Sequence, residues 1–371
     1  MSVAFRLSLF YAAAFLVAGV QLPFWPVWLA GRGLDAGEIG AVLAIGQWIK
    51  VAANPLAGML ADRCGNRRRV MLPLAMLSAV GYLLCLPQQG FASLLFITAL
   101  IAASSAGILP LADTITLAGK GMDYGRVRLW GTFAFILATL LGGRILTGRS
   151  PETVLYLLLG ATILMTLACT LVPPAAITAR GPCGSAWRHL LAPRHLVFLA
   201  AATLIQGSHG VYYAFGTLYW RSLGFASGTI AWLWAEGAIA EMVLFYCGRR
   251  LLDRLGPFGL LTLGGAAGIL RWTATALTAD LAVLIVMQLL HAFTFGAAHL
   301  GAMHYLARGL PAEHAATGQA FYSAIVGGIG FGLITLGSGT LYGAVGGGAY
   351  YAMALAAAAG AVSAGFLAAT R

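Results

Sequence analysis

Apolar runs long enough to cross a lipid bilayer follow one another almost without pause along this 371-residue chain. A helix rises about 1.5 Å per residue, so ~20 apolar residues cover a hydrocarbon core. Cutting the sequence at its turn residues and charges leaves twelve such runs. They predict helices α1 to α12 over 7–30, 39–60, 70–87, 93–118, 127–147, 153–172, 196–220, 227–248, 258–278, 281–306, 317–340 and 346–368. Only 9% of the residues are charged, against roughly a quarter in a soluble domain. The expected class is therefore an all-α integral membrane protein. The first run is too long for a signal-peptide core, and Gln21, Pro23, Pro26 and two tryptophans interrupt its far end, so it is expected to remain as α1. The cysteines (Cys64, Cys85, Cys169, Cys183, Cys247) include no CxxC pair and read as free thiols, with no disulfide and no metal site expected.

A net charge of +11 invites a nucleic-acid reading, but the positions of the charges argue against it. With both chain ends in the cytoplasm, sixteen of the 22 Lys and Arg fall on inner segments, among them Arg63, Arg67, Arg68 and Arg69 after α2 and Arg126 and Arg128 before α5. Four lie at the outer edge and two, Lys50 and Arg271, inside the membrane. The positive-inside rule then gives the orientation, and no nucleic acid is needed to explain the basic balance.

The chain also repeats itself. Asp62-Arg63-Cys64-Gly65 recurs 191 positions later as Asp253-Arg254-Leu255-Gly256. The same offset pairs Gly19 with Gly210, Gly33 with Gly224, Asp113 with His304 and Trp130 with Phe321. One offset held across five helices implies two duplicated six-helix halves, 1–172 and 196–371, joined by a cytoplasmic linker over 173–195.

The stretch from Gly58 to Arg68, Gly-Met-Leu-Ala-Asp-Arg-Cys-Gly-Asn-Arg-Arg, resembles the signature loop of the major facilitator superfamily, departing at Asn66. Its second copy is degraded, with Pro257-Phe258 in place of the basic pair. Three further segments, Asp123 to Gly131, Gln206 to Tyr213 and Leu290 to Tyr305, resemble the phenylpropionate permease branch, which is similar to the lactose and nucleoside proton symporters. The resemblance implies a monomeric inner-membrane secondary transporter in contact with lipid. It would use no cofactor and take up a small solute such as an aromatic carboxylate together with protons. It also implies gating residues: Asp62 with Arg63 against the start of α11, and Asp253 against α5 with Arg126 and Arg128.

A charge at bilayer depth costs several kcal/mol unless it meets a partner or a cavity, so intramembrane ionisable groups are functional candidates. The five are Lys50, Asp113, Glu236, Glu241 and Arg271. Three acids against two bases leave one carboxyl free to exchange a proton. Positions three and four apart share a helix face. Polar stripes follow at Gln47, Lys50 and Asn54 on α2, at Gln206, His209 and Tyr213 on α7, at Gln288, His291 and His299 on α10, and at Gln21, Trp25 and Trp28 on α1. Amide contacts between neighbouring helices would account for the glutamines equally well.

Glu241 is the expected proton carrier, near Arg271 and the α10 histidines. Glu236 competes for the role, since a five-residue step turns it about 140° away. Lys50 is the repeat mate of Glu241, and it or Arg128 would meet a substrate carboxylate. Trp25, Trp28, Tyr212, Tyr213 and Trp234 would stack on an aromatic or sugar ring. A sugar or nucleoside symporter and a drug/proton antiporter stay open as alternatives. A membrane-embedded enzyme would need a nucleophile with an oriented base or an HExxH cluster, and the sequence has neither.

Overall fold

The computed structural model describes residues 1–119, 122–174, 187–309 and 314–370. Much of the expected linker, including Cys183, lies outside the described residues, as does Lys120. The described chain is helical, with short turns. α1 is Val3–Gly31, α2 Ala36–Cys64, α3 Arg67–Leu84, α4 Phe91–Ala118, α5 Tyr124–Leu146 and α6 Glu152–Leu171. After a helical turn at Trp187–Leu190, α7 runs as Pro193–Gly207 and Gly210–Ser222. One assigned helix, Ser227–Leu277, carries both α8 and α9. α10 runs from Leu281 to Gly309, α11 from Ala315 to Val345, and α12 is Ala349–Ala369.

Two helices, α2 and α8, outlast the apolar runs that predicted them, which corrects their expected ends. α2 continues through Asp62 and Arg63 to Cys64, and Gly65, with φ 64°, caps it. The expected break after residue 248 is likewise helix, and the backbone leaves helical geometry only at Gly256, with φ 66°. Charges mark where a helix leaves the membrane. A left-handed glycine marks where it stops, because only glycine takes that conformation without a Cβ clash. Gly33 and Gly224 share the same trait, with φ 84° and 86°. The 191-residue repeat is thus written into the backbone as well as the sequence. Polar side chains start several helices: Asp35 and Glu38 form a reciprocal capping box, and Asp123 and Asp280 accept from backbone N–H groups three residues on. α4 is interrupted at Gly107, just ahead of Pro110, whose ring displaces the preceding turn.

The described chain separates into two compact units, one made of residues 1–174 with 220–232, the other of 187–219 with 233–370. In the first, Leu7, Phe10, Met71, Ile108, Ile115, Met165 and Cys169 form a common core. In the second, Phe198, Ile205, Leu261, Ala298, Val326 and Ala364 do so. Close helix approach depends on small residues in a bilayer. A Cβ on Gly19 would lie 2.5 Å from the Phe135 carbonyl oxygen of α5. Its repeat mate Gly210 has the same role, since a Cβ there would lie 2.8 Å from Ser338 Oγ of α11.

Candidate functional site

The second unit holds a buried polar network at two interruptions of its helices. α7 breaks at Ser208-His209. α10 passes from α-helix through Leu290 into a wide π turn at Ala292–Ala297. Such breaks release backbone carbonyls from the i−4 ladder, and π turns recur at functional sites. Two carbonyls here are taken by side chains. His209 Nδ1–H donates to the Gln206 carbonyl at 3.0 Å, and Gln206 Nε2 donates to the Phe295 carbonyl at 3.4 Å.

Arg271 of α9 is the centre of the network and is fully buried. Its guanidinium lies over the rings of Tyr212, at 4.6 Å, and Trp272, at 4.4 Å. It donates from Nη1 to His291 Nδ1 and to Thr294 Oγ1, both at 3.0 Å, and from Nη2 to Gln288 Oε1 at 2.6 Å. A desolvated cation is tolerated because rings and oriented acceptors replace its water.

Those bonds, with one backbone carbonyl, set the proton positions on two imidazoles. Guanidinium can only donate, so His291 Nδ1 must accept. The single proton of neutral His291 then sits on Nε2, which faces Glu241 Oε2 of α8 at 3.7 Å. By the same logic Thr294 O–H donates to His209 Nε2, 3.0 Å away, because His209 Nδ1 carries the proton given to the Gln206 carbonyl. The cation therefore fixes the tautomer of His291, and the Gln206 carbonyl fixes that of His209.

The expected neighbours thus come together in part. Glu241 does not touch Arg271; His291 lies between them. Glu236 is partly buried, and among the described residues the hydrogen bonds of Arg271 do not extend to it. His299 stacks on Phe295 at 6.0 Å, which stacks on His291 at 5.4 Å, a file of rings along α10. Tyr212 stacks on Trp234 at 4.4 Å, and Trp234 Nε1 donates to Thr217 at 2.9 Å. Both rings are nearly inaccessible, Tyr212 under the guanidinium and Trp234 behind Tyr212, whereas Tyr213 keeps a partly exposed face. Trp272 is locked by a 3.0 Å bond from Nε1 to Ser208 Oγ.

The first unit holds a second cluster. Asp113 of α4 accepts hydrogen bonds from Tyr11 of α1 at 2.6 Å and from Tyr124 of α5 at 3.1 Å. Arg128 faces the rings of Tyr11 and Phe15, at 6.0 and 5.2 Å, and its Nη1 is buried without a hydrogen-bond partner. Lys50 is half-buried on α2, and among the described residues no carboxylate oxygen lies within 4.0 Å of it. Near it on the same helix, Asn54 Oδ1 is buried without a partner, while Gln47 and, on α1, Gln21 are half-buried. Asp62, Arg63, Asp253 and Arg126 are exposed at helix ends.

Trp25 and Trp28 are a correction. They stack on each other at 4.6 Å, and Trp25 meets the edge of Tyr82 on α3. Trp28 Nε1 donates to Glu152 of α6 at 3.3 Å, and Arg32 pairs with the same carboxylate at 2.7 Å while covering the Trp28 ring at 4.9 Å. Both tryptophans are buried in the packing of α1 against α3 and α6, so no ring face is left for a ligand. Four side chains of these clusters carried no sequence signal of their own: Thr294 and Trp272 look like ordinary helix residues, and Tyr11 and Tyr124 like interfacial aromatics. The adjacency of Trp272 to Arg271 was the one available hint. Among the described residues no group of three or more His, Cys, Asp or Glu could hold a metal ion.

Residues 4–353 match the family described as MFS_1 like. The chain is 32% identical over 363 residues to a probable 3-phenylpropionic acid transporter of Escherichia coli K12, covering 95% of this chain and 94% of that one. It is 28% identical to the maltose permease of Geobacillus stearothermophilus, covering 90% and 86%. Among solved structures, the nucleoside transporter NupG superposes with a TM-score of 0.86 at 18% identity, covering 100% of this chain and 99% of that one. At that identity the likeness speaks for the fold, which is that of the major facilitator superfamily.

Proposed function

We propose, from the premise that this chain belongs to the MFS_1 like family of membrane transporters, that it takes up a small aromatic carboxylate together with a proton. The substrate class is supported by the relative that is 32% identical over nearly the whole chain, a probable 3-phenylpropionic acid transporter. The observation that carries the coupling is the line Arg271, His291, Glu241. A buried guanidinium holds His291 with its one proton on the side of the carboxyl. In this reading Glu241 takes the coupling proton. A bare carboxylate is costly at bilayer depth, so the loaded transporter changes its access only when Glu241 is neutral. Arg271 keeps His291 from taking that proton at Nδ1. His209, held through Thr294, keeps the π turn of α10 in place, and Glu236 and His299 stand beside the path. Lys50 and Arg128 supply cationic donors for the substrate carboxylate, Tyr213 offers a ring face, and Gln21, Gln47, Asn54 and Asp113 line the polar side.

Counterflow in proteoliposomes tests this directly. Labelled 3-phenylpropionate-like acids should exchange, while maltose and nucleosides should not. Exchange of either of those instead would move the assignment to a sugar or nucleoside symporter. Lys50→Ala should weaken an anionic substrate roughly 10- to 100-fold, the worth of a charge-assisted hydrogen bond, and leave its neutral amide nearly unchanged. Equal losses for acid and amide would remove Lys50 from the site.

The proposed location is the inner membrane, with 173–195 and both chain ends in the cytoplasm. Asp62 and Asp253 act there as gates toward the starts of α11 and α5, where helix dipoles and Arg126 favour negative charge. An impermeant thiol reagent added to intact cells is expected to leave Cys183 unmodified. Labelling from outside would reverse the topology.

A further inference from the structure

Arg271 is a buried cation without a counter-charge beside it. Its hydrogen bonds end on neutral acceptors, on His291, Thr294 and Gln288. Among the described residues no carboxylate oxygen lies within 4.0 Å of the guanidinium, and Glu241 stands behind His291. Rings and neutral acceptors replace the water of a buried ion, but they leave its charge unbalanced.

Donors around this cation are also in excess. Arg271 Nε is buried without a hydrogen-bond partner. Gln288 Nε2 is in the same position: Oε1 is the atom that accepts from Nη2, because guanidinium can only donate, so the amide N–H groups are left over. Tyr350 of α12 adds a third, a buried hydroxyl with no partner. Its ring stacks on Trp272 at 5.8 Å, and Trp272 packs on the guanidinium at 4.4 Å. A Cβ on Gly216 of α7 would lie 3.6 Å from that hydroxyl and 3.4 Å from the ring of Tyr212, the other aromatic on Arg271. The three donors thus come from α9, α10 and α12 to one part of the network. Arg271, Gln288 and Tyr350 are 0%, 1% and 0% exposed.

The chemistry of this donor set selects its ligand. Two of the groups can only donate, and the tyrosine hydroxyl can donate as well. A water molecule among them would accept hydrogens and leave the positive charge as it was. A small anion accepts from all three and balances the charge, where the low local dielectric makes that attraction strong.

We propose that Arg271 Nε, Gln288 Nε2 and the Tyr350 hydroxyl bind a monatomic anion, which in the cell is chloride. The enclosure is too complete for an aromatic acid to enter, so this anion is not the transported substrate. The site stands on the Arg271 network alone and does not depend on which solute is carried.

Thermal midpoints of the purified full chain in detergent, without substrate, test this. Chloride is titrated against gluconate at fixed sodium and ionic strength, with bromide as a second halide. The wild-type midpoint should rise saturably with chloride, by about 3 °C at 100 times Kd, and bromide should act likewise. Tyr350→Phe keeps the ring and removes the O–H, so it should need roughly tenfold more chloride for half of the rise. Gln288→Glu sets a carboxylate against the guanidinium and should abolish the response. A wild-type midpoint indifferent to chloride would mean that water satisfies these donors, and would overturn the proposal. An equal chloride response in the wild type and Tyr350→Phe would put the anion elsewhere and overturn it too. Where Gln288→Glu does not elute as a single species, Tyr350→Phe decides alone.

Discussion

Glu241→Gln should abolish proton-driven accumulation of substrate and leave counterflow close to wild-type rates. With one proton per substrate, a two-unit pH gradient stores about 2.7 kcal/mol and supports roughly 100-fold accumulation. The variant should fall to no accumulation at all. A glutamine has nearly the shape of a protonated glutamate, and its amide oxygen can face His291 Nε2–H as the carboxyl does. It mimics the permanently loaded state, so the two access states still interconvert with substrate aboard, but no proton is carried. Uphill uptake and counterflow measured on the same proteoliposomes separate the two effects. Uphill transport kept by Glu241→Gln and lost in Glu236→Gln would transfer the role to Glu236.

Arg271→Lys should be more damaging, costing both stability and coupling. The guanidinium fills three acceptors at once, on His291, Thr294 and Gln288, and stacks against two rings. A lysine ammonium has no planar fork and cannot reproduce that geometry. Each buried acceptor left without a donor costs about 1–3 kcal/mol. The effects are not additive, and a total of about 3–5 kcal/mol is expected, read as a lower thermal midpoint in detergent. A purely structural role would end there. A positioning role adds a second readout, because His291 Nδ1 is then free to take a proton. A doubly protonated His291 pairs with the Glu241 anion and holds the site charged. Counterflow by Arg271→Lys should therefore fall as the pH drops from 8 toward 5, whereas counterflow by Glu241→Gln should stay flat. A flat profile in Arg271→Lys would reduce Arg271 to packing.

The sequence by itself determined the architecture. In hydrocarbon every backbone polar group must be satisfied within the segment, so twelve apolar runs leave no choice but helices. The 191-residue offset named the duplication, and the backbone repeats it at Gly33 and Gly224 and at Gly65 and Gly256. Helical spacing also found much of the network, because Gln206 and His209 on α7, and Gln288 and His291 on α10, are polar residues one turn apart in otherwise apolar helices. Three matters were left to the tertiary structure. Spacing could not tell the aromatic residues of a cavity wall from those of a helix seam, because both places suit a large ring; Trp25 and Trp28 proved to belong to a seam with Tyr82 and Glu152. Charge could not locate the end of α8, because a helix that has left the bilayer keeps its own hydrogen bonds until a residue such as Gly256 breaks them. The direction of each proton was beyond any one-dimensional reading. For His291 it follows from Arg271, a donor without an acceptor site, and for His209 from the Gln206 carbonyl, an acceptor without a proton, and only the packing of the helices puts these groups within reach.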